Sequence, residues 1–202
     1  MNRRNRILRR NIFWVGMCLL TAGCASSHLM VTPDPKTMTG PWTGSCGDVL
    51  VRELPAGKEG REYNNTLSGM VLSLERSGLF DNVYYHNQPQ GDVDMVLDVQ
   101  FNRTLHRNLV GETLKAVASG LSMGTLFPVV KYRYNYEMTS DMTILKNGSP
   151  DKELHVRSTA AWSGKLMAQL DLPQEIPELQ ESVYKQLLTE LNDYCQASEK
   201  GR

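Results

Sequence analysis

The sequence predicts an α+β domain built on an antiparallel sheet, with two main helices packed on one face and an apolar, Gly-rich insertion. Three observations carry this. Two amphipathic segments have apolar residues every three or four positions, the spacing of one helix face. Two others alternate apolar and polar residues, the period of a half-buried strand. The order strand, helix, strands, helix is that of a sheet with helices laid on it.

Residues 48–54 (Asp-Val-Leu-Val-Arg-Glu-Leu) form the first strand candidate, and a polar turn at 57–60 leads to the first helix. There Tyr63, Leu67, Met70, Val71 and Leu74 share a face, while Ser73, Glu75 and Arg76 take the wet side. Gly78 ends the helix, since glycine readily adopts the left-handed conformation found there, and residues 79–85 turn into a strand.

Val93, Met95, Leu97, Val99 and Phe101 alternate with Asp94, Asp98 and Gln100. The clearest strand follows: Tyr132, Tyr134, Tyr136, Met138, Met142 and Ile144 against Lys131, Arg133, Asn135, Glu137, Thr139, Asp141 and Thr143. Asn147-Gly148 is a hairpin turn signal, and residues 154–162 return as the antiparallel partner. Ile176, Leu179, Val183, Leu187, Leu191 and Tyr194 then mark a closing helix, with Pro177 suited to its first turn.

The segment 109–130 joins two strands that a short hairpin could have joined. From 116 to 130 only Ser and Thr interrupt apolar and Gly residues. Fifteen residues fall short of the roughly 20 needed to span a bilayer, and Gly120 and Gly124 weaken a regular helix. Either it folds back as a lid over the sheet, or Leu114, Val117, Leu121, Met123, Leu126 and Phe127 form an apolar surface for a lipid, a membrane or another subunit. Replacing Leu121 and Phe127 by Ser separates the two: loss of partner capture with cooperative melting kept marks a surface, and a parallel loss of stability marks core.

The chain begins with a basic leader of five arginines and no acid, followed by an apolar run at 12–20, the order of a secretory signal. Nine apolar residues are too few for a permanent span. The run ends in Leu20-Thr21-Ala22-Gly23-Cys24, which resembles a lipobox, the motif at which a Cys thiol is acylated and the chain cleaved just before it; Thr21 stands where that family usually has Leu. The resemblance implies a signal peptide at 1–23, a lipidated Cys24, a tether at 24–43 and one periplasmic domain at 44–202. The tether expectation comes from its three prolines and lack of an apolar period. No Asp stands at the second position of the mature chain, where Ala25 directly follows the Cys and precedes Ser26 and Ser27, and in lipoproteins this implies the outer membrane, facing the periplasm. Arg9-Arg10 also resembles a twin-arginine export motif, with general secretion the default route.

Cleavage would remove five of 22 basic residues and none of the 22 acidic ones, leaving 17 against 22, a formal charge of −5. A mildly acidic chain lacks the basic stripe that nucleic-acid phosphates require, so no nucleic acid is expected as partner. With Cys18 removed and Cys24 acylated, Cys46 and Cys195 would remain, either bridged in an oxidising compartment or as two separate thiols.

Catalytic signals are weak. Ser68 and Ser163 lie outside any Gly-x-Ser-x-Gly elbow, and His28, His86, His106 and His155 have no partner at metal-ligand spacing. Asp92, Asp94 and Asp98 read as a solvated strand face, and the three tyrosines as core rather than a stacking platform. No enzyme activity, metal or cofactor is expected.

From Leu74 on, Leu-Glu-Arg-Ser-Gly-Leu-Phe-Asp-Asn-Val, an alternating strand, an apolar insertion with Pro, two strands and a final helix resemble small envelope lipoproteins of bacteria. Analogues in architecture are accessory lipoproteins of export and assembly machines, such as the curli secretion and exopolysaccharide-export lipoproteins. The resemblance implies a non-enzymatic accessory or assembly subunit, anchored in the membrane by its lipid, that meets an envelope protein or itself. The alternative reading is a periplasmic carrier of a lipid or other apolar small molecule.

Overall fold

The computed structural model describes residues 27–38, 40, 42–43, 45–54, 64–85, 92–121, 131–165 and 176–200. They form six strands and three α-helices: β1 (His28–Thr32), β2 (Asp48–Glu53), α1 (Asn64–Ser77), β3 (Asn82–Tyr85), β4 (Met95–His106), α2 (Leu109–Leu121), β5 (Lys131–Lys146), β6 (Ser149–Lys165) and α3 (Pro177–Lys200). A 3-10 turn at Pro35–Thr37 follows β1. The six strands make one sheet in the order β1-β6-β5-β4-β2-β3.

The sheet is mixed, which corrects the antiparallel expectation. β2 runs parallel to both its neighbours, with Val49 opposite Val83 on β3 and opposite Met95 on β4. The cause is topological: β2, α1 and β3 form a strand–helix–strand crossover, and such a connection returns the chain in the same direction. β4 and β5 are antiparallel, with Leu97 opposite Ile144 and Val99 opposite Met142. β5 turns into β6 through Asn147 and Gly148, both at positive φ (52° and 76°), the backbone that a two-residue hairpin requires.

The chain divides into two compact units. The larger comprises Met30–His106, Asn135–Ala160 and Glu175–Arg202. Its core is the apolar stripe of each element meeting the others: Val49 and Val51 of β2, Met95, Leu97, Val99 and Phe101 of β4, Met142 and Ile144 of β5, Leu67, Met70 and Leu74 of α1, and Leu179, Val183, Leu187 and Leu191 of α3 are all buried. Two bonds fix the long helix: Ser182 Oγ meets Ser158 Oγ of β6 at 2.9 Å, and Tyr184 Oη donates to the Thr66 carbonyl of α1 at 2.6 Å. The Tyr184 ring packs edge-on against Phe101, centroids 6.2 Å apart. Gly78 ends α1 at φ 71°.

Cys46 and Cys195 are disulfide-bonded, joining the entry to β2 with the last turns of α3. Residues 28–38, within the stretch expected to be a tether, instead carry β1 and the 3-10 turn. Ser182 Oγ donates to the Pro33 carbonyl and Lys185 Nζ to the Pro35 carbonyl, each at 2.8 Å, so in the larger unit this stretch is hydrogen-bonded to α3.

The smaller unit comprises Met1–Leu29, Arg107–Tyr134 and Ala161–Gln174. Its described part holds α2, the first residues of β5, the last of β6 and the start of β1. No helix among the described residues is long and apolar enough to cross a membrane.

Candidate functional site

The third helix is the main departure from the expected pair. Despite Gly111 and Gly120, residues 109–121 form a helix of 13 residues. Its start is built by Asn108, whose side chain accepts from Gly111 N at 3.0 Å and whose carbonyl accepts from Glu112 N at 2.9 Å, an N-terminal cap. Gly111 belongs to that cap: a Cβ there would stand 3.0 to 3.3 Å from the Asn108 side chain. Glu112 in the first turn adds a negative charge where the helix dipole favours one.

Among the described side chains of α2, two polar ones, Glu112 and Lys115, reach tyrosines of β5. Tyr134 is hydrogen-bonded to Glu112, and the Lys115 ammonium lies over the Tyr132 ring, 5.5 Å from its centroid. Arg107, just before the helix, lies over the Tyr134 ring at 5.8 Å, and Trp162 packs on that ring from β6, centroids 5.6 Å apart. Tyr132 and Tyr134 are buried, in keeping with the core reading of the tyrosine row. Removal from water, together with the Glu112 carboxylate, pushes the Tyr134 phenol up to about 12, with Arg107 opposing.

Toward solvent α2 presents Leu114, Val117 and Leu121, which are 65%, 52% and 82% exposed. The spacing explains the geometry. Positions 114, 117 and 121 follow one stripe, and Leu121 stands nine residues, or about two and a half turns, from Glu112, on the opposite side. Ala118 is exposed beside them. Fully covering a leucine or valine side chain is worth about 1.5–3 kcal/mol, so this stripe has stabilisation to gain from whatever covers it. The other three residues expected in the surface, Met123, Leu126 and Phe127, lie outside the described residues, as does Cys24.

Of the residues weighed for chemistry, Asp94, Asp98, His106 and His155 have structural partners. Asp98 is held by two hydrogen bonds from Arg52 at 2.7 and 2.8 Å. Asp94 accepts from Asp48 N at 2.9 Å, and Asp92 is exposed. His106 pairs with Glu137, which also pairs with Arg157, and His155 with Asp141. His28 is exposed on β1, Ser68 is exposed on α1, Ser163 is half-buried on β6, and His86 lies outside the described residues. Among the described residues no three His, Cys, Asp or Glu side chains gather as a metal site.

No family model matches the chain, and no curated protein matches it. Solved structures with some likeness include a minor lipoprotein from Acinetobacter baumannii, 14% identical with a TM-score of 0.38, covering 78% of this chain and 96% of that one. The rare lipoprotein B from Shewanella oneidensis is 12% identical with a TM-score of 0.30, covering 76% and 94%. A PelC dodecamer from Paraburkholderia phytofirmans is 11% identical with a TM-score of 0.31, covering 82% and 94%. At such scores no residue role, ligand or assembly passes from them to this chain.

Proposed function

We propose that the protein is a non-enzymatic, lipid-anchored lipoprotein of the outer membrane, facing the periplasm, that serves as an accessory or assembly subunit of an envelope complex. The observation that carries this reading is α2: a helix that turns Glu112 and Lys115 toward tyrosines and leaves Leu114, Val117 and Leu121 outside is built to be covered at its place of work. The export signal and the lipobox-like Leu20-Thr21-Ala22-Gly23-Cys24 supply the address, and the Cys46–Cys195 bridge suits an oxidising compartment. The segment 109–130 is its contact with the envelope, membrane or protein.

Crosslinking and affinity purification of the natively lipidated protein from membranes, with mass spectrometry of proteins and lipids together, tests this. A stoichiometric envelope protein supports the accessory role. A defined lipid co-purifying without protein moves the reading to a carrier, and a chain that purifies with neither removes the accessory role.

A further inference from the structure

We propose that the outward face of α2 rests on the bilayer itself, at the boundary of headgroups and acyl chains in the leaflet that holds the anchor. This rests on the lipid-anchor reading of Cys24.

The first argument is length. β1 begins at His28, four positions after Cys24. Four extended residues reach at most about 14 Å. Because β1 begins so early, little free chain remains between lipid and fold, and the domain is drawn down to the surface rather than suspended above it. The second argument is placement. His28 and Leu29 fall in the same compact unit as α2. The first described strand residues after the anchor thus fall in the unit carrying the uncovered stripe, and β1 continues from Met30 in the larger unit.

The third argument is the chemistry of the face. Leu114, Val117, Ala118 and Leu121 are exposed and uncharged, while the nearby cations Arg107 and Lys115 lie over tyrosine rings. A helix of 13 residues is about 20 Å long. Lying flat, it can sink its apolar side about 5–10 Å into the interface, as interfacial helices do. With a mature formal charge of −5, attraction to anionic headgroups does not supply the contact. The apolar stripe does, so the seat should persist in high salt.

The natural cysteines make a direct test simple. Cys46 and Cys195 are bridged and Cys24 is acylated, so an Ala118→Cys variant offers one free thiol on the outward face. A polarity-sensitive dye is attached there, and at Glu153→Cys, exposed on β6, as the reference. The mature lipidated protein is added to vesicles of phosphatidylethanolamine and phosphatidylglycerol in equal parts, and flotation and the mass of the N-terminal peptide are recorded separately. On floated vesicles, emission at 118 should shift to the blue and its quenching by iodide should fall several-fold, with 153 unchanged. Adding Leu114→Ser and Leu121→Ser should restore quenching at 118 while the protein still floats.

Equal quenching at both positions in acylated, floated protein overturns the inference and leaves the anchor standing. Protection at 118 before any vesicle is added points to a second copy of the chain, and protection in native membranes alone points to a protein partner; both also overturn it. An N-terminal peptide without acyl mass overturns the anchor. In that case, protection at 118 on vesicles would still uphold the seat of α2, and its absence would sink both.

Discussion

The hydroxyl of Tyr184 donates to the carbonyl oxygen of Thr66 at 2.6 Å, and the bond is buried. It joins the first third of α3 to the first turn of α1 across 118 positions of sequence. Gly69 sits one turn further along α1, where a Cβ would come within 3.0 Å of the same hydroxyl, so α1 is bare where Tyr184 approaches. Tyr184→Phe removes the bond and keeps the ring against Phe101. A net loss of about 1 kcal/mol is expected in urea unfolding, the usual worth of one buried hydrogen bond. No change in stability would mean that the ring, and not the hydroxyl, fixes the helix pair.

The Cys46–Cys195 bridge closes a loop of 149 positions, with Cα atoms 5.5 Å apart. In the chain-entropy model a loop of this length is worth about 5 kcal/mol, and removal of native bridges from small secreted domains costs about 2–5 kcal/mol. The paired change Cys46→Ser with Cys195→Ser should therefore lower stability by a similar amount, and reduction of the native protein should match it. The bridge should also leave both cysteines unreactive to alkylation, even in the unfolded chain, until it is reduced, which mass spectrometry reads directly.

Much of the fold was legible because the apolar periods are clean. Leu67, Met70 and Leu74, the row Tyr132 to Ile144, and Leu179, Val183, Leu187 and Leu191 are buried as their spacing requires, and Gly78 and Asn147-Gly148 turn the chain where their backbone freedom allows. The parallel pairing of β2 was misread, although strand, helix and strand in succession is itself the mark of a parallel crossover. β1 is short and its residues face mostly outward, so His28–Thr32 carries no period to read. The helix at 109–121 was obscured for another reason: Gly120 and Gly124 speak against a regular helix, but Asn108 supplies a cap and Glu112 a contact to Tyr134. The Asn three positions before Gly111 was the signal available. The outward stripe Leu114, Val117, Leu121 was named from composition; its opposition to Glu112 needed the structure.

Gly47 is held where no other residue fits. Its φ is +69°, and a Cβ would lie 2.3 Å from the Asp94 carboxylate oxygen that accepts from Asp48 N. Gly47→Ala must strain the backbone and displace that carboxylate together, at about 1–3 kcal/mol for the backbone alone. Thermal melting should show it, and Asp94→Ala should cost less when combined with Gly47→Ala than alone, because the two share one contact.

Tyr134 and Tyr194 should titrate above ordinary phenols. Burial pushes each up to about 12, aided by Glu112 at Tyr134 and by Asp151 at Tyr194. The sign follows from the phenol's ordinary value of about 10 in the unfolded chain. The fold favours the neutral form, so this stabilisation is whole below pH 10 and is lost as pH rises toward 12. Glu112→Gln removes the carboxylate charge but not the burial, so the Tyr134 midpoint should fall part of the way toward 10, read by its ring carbon resonance. An unmoved midpoint would assign the whole shift to burial.

Leu121 and Leu67 make opposite predictions from one residue type. Leu67 is fully buried in the larger unit, and Leu67→Ala should cost about 2–5 kcal/mol through lost burial and the cavity left behind. Leu121 is 82% exposed and Leu114 65%, so Leu114→Ser with Leu121→Ser should change stability in solution by no more than about 0.5 kcal/mol per site, the usual range for open surface positions. On vesicles the same pair should remove the protection of the outward face of α2 while its melting midpoint stays put. Should the double variant instead melt early and bind normally, the stripe would be part of the fold's own packing, and α2 a lid rather than a surface.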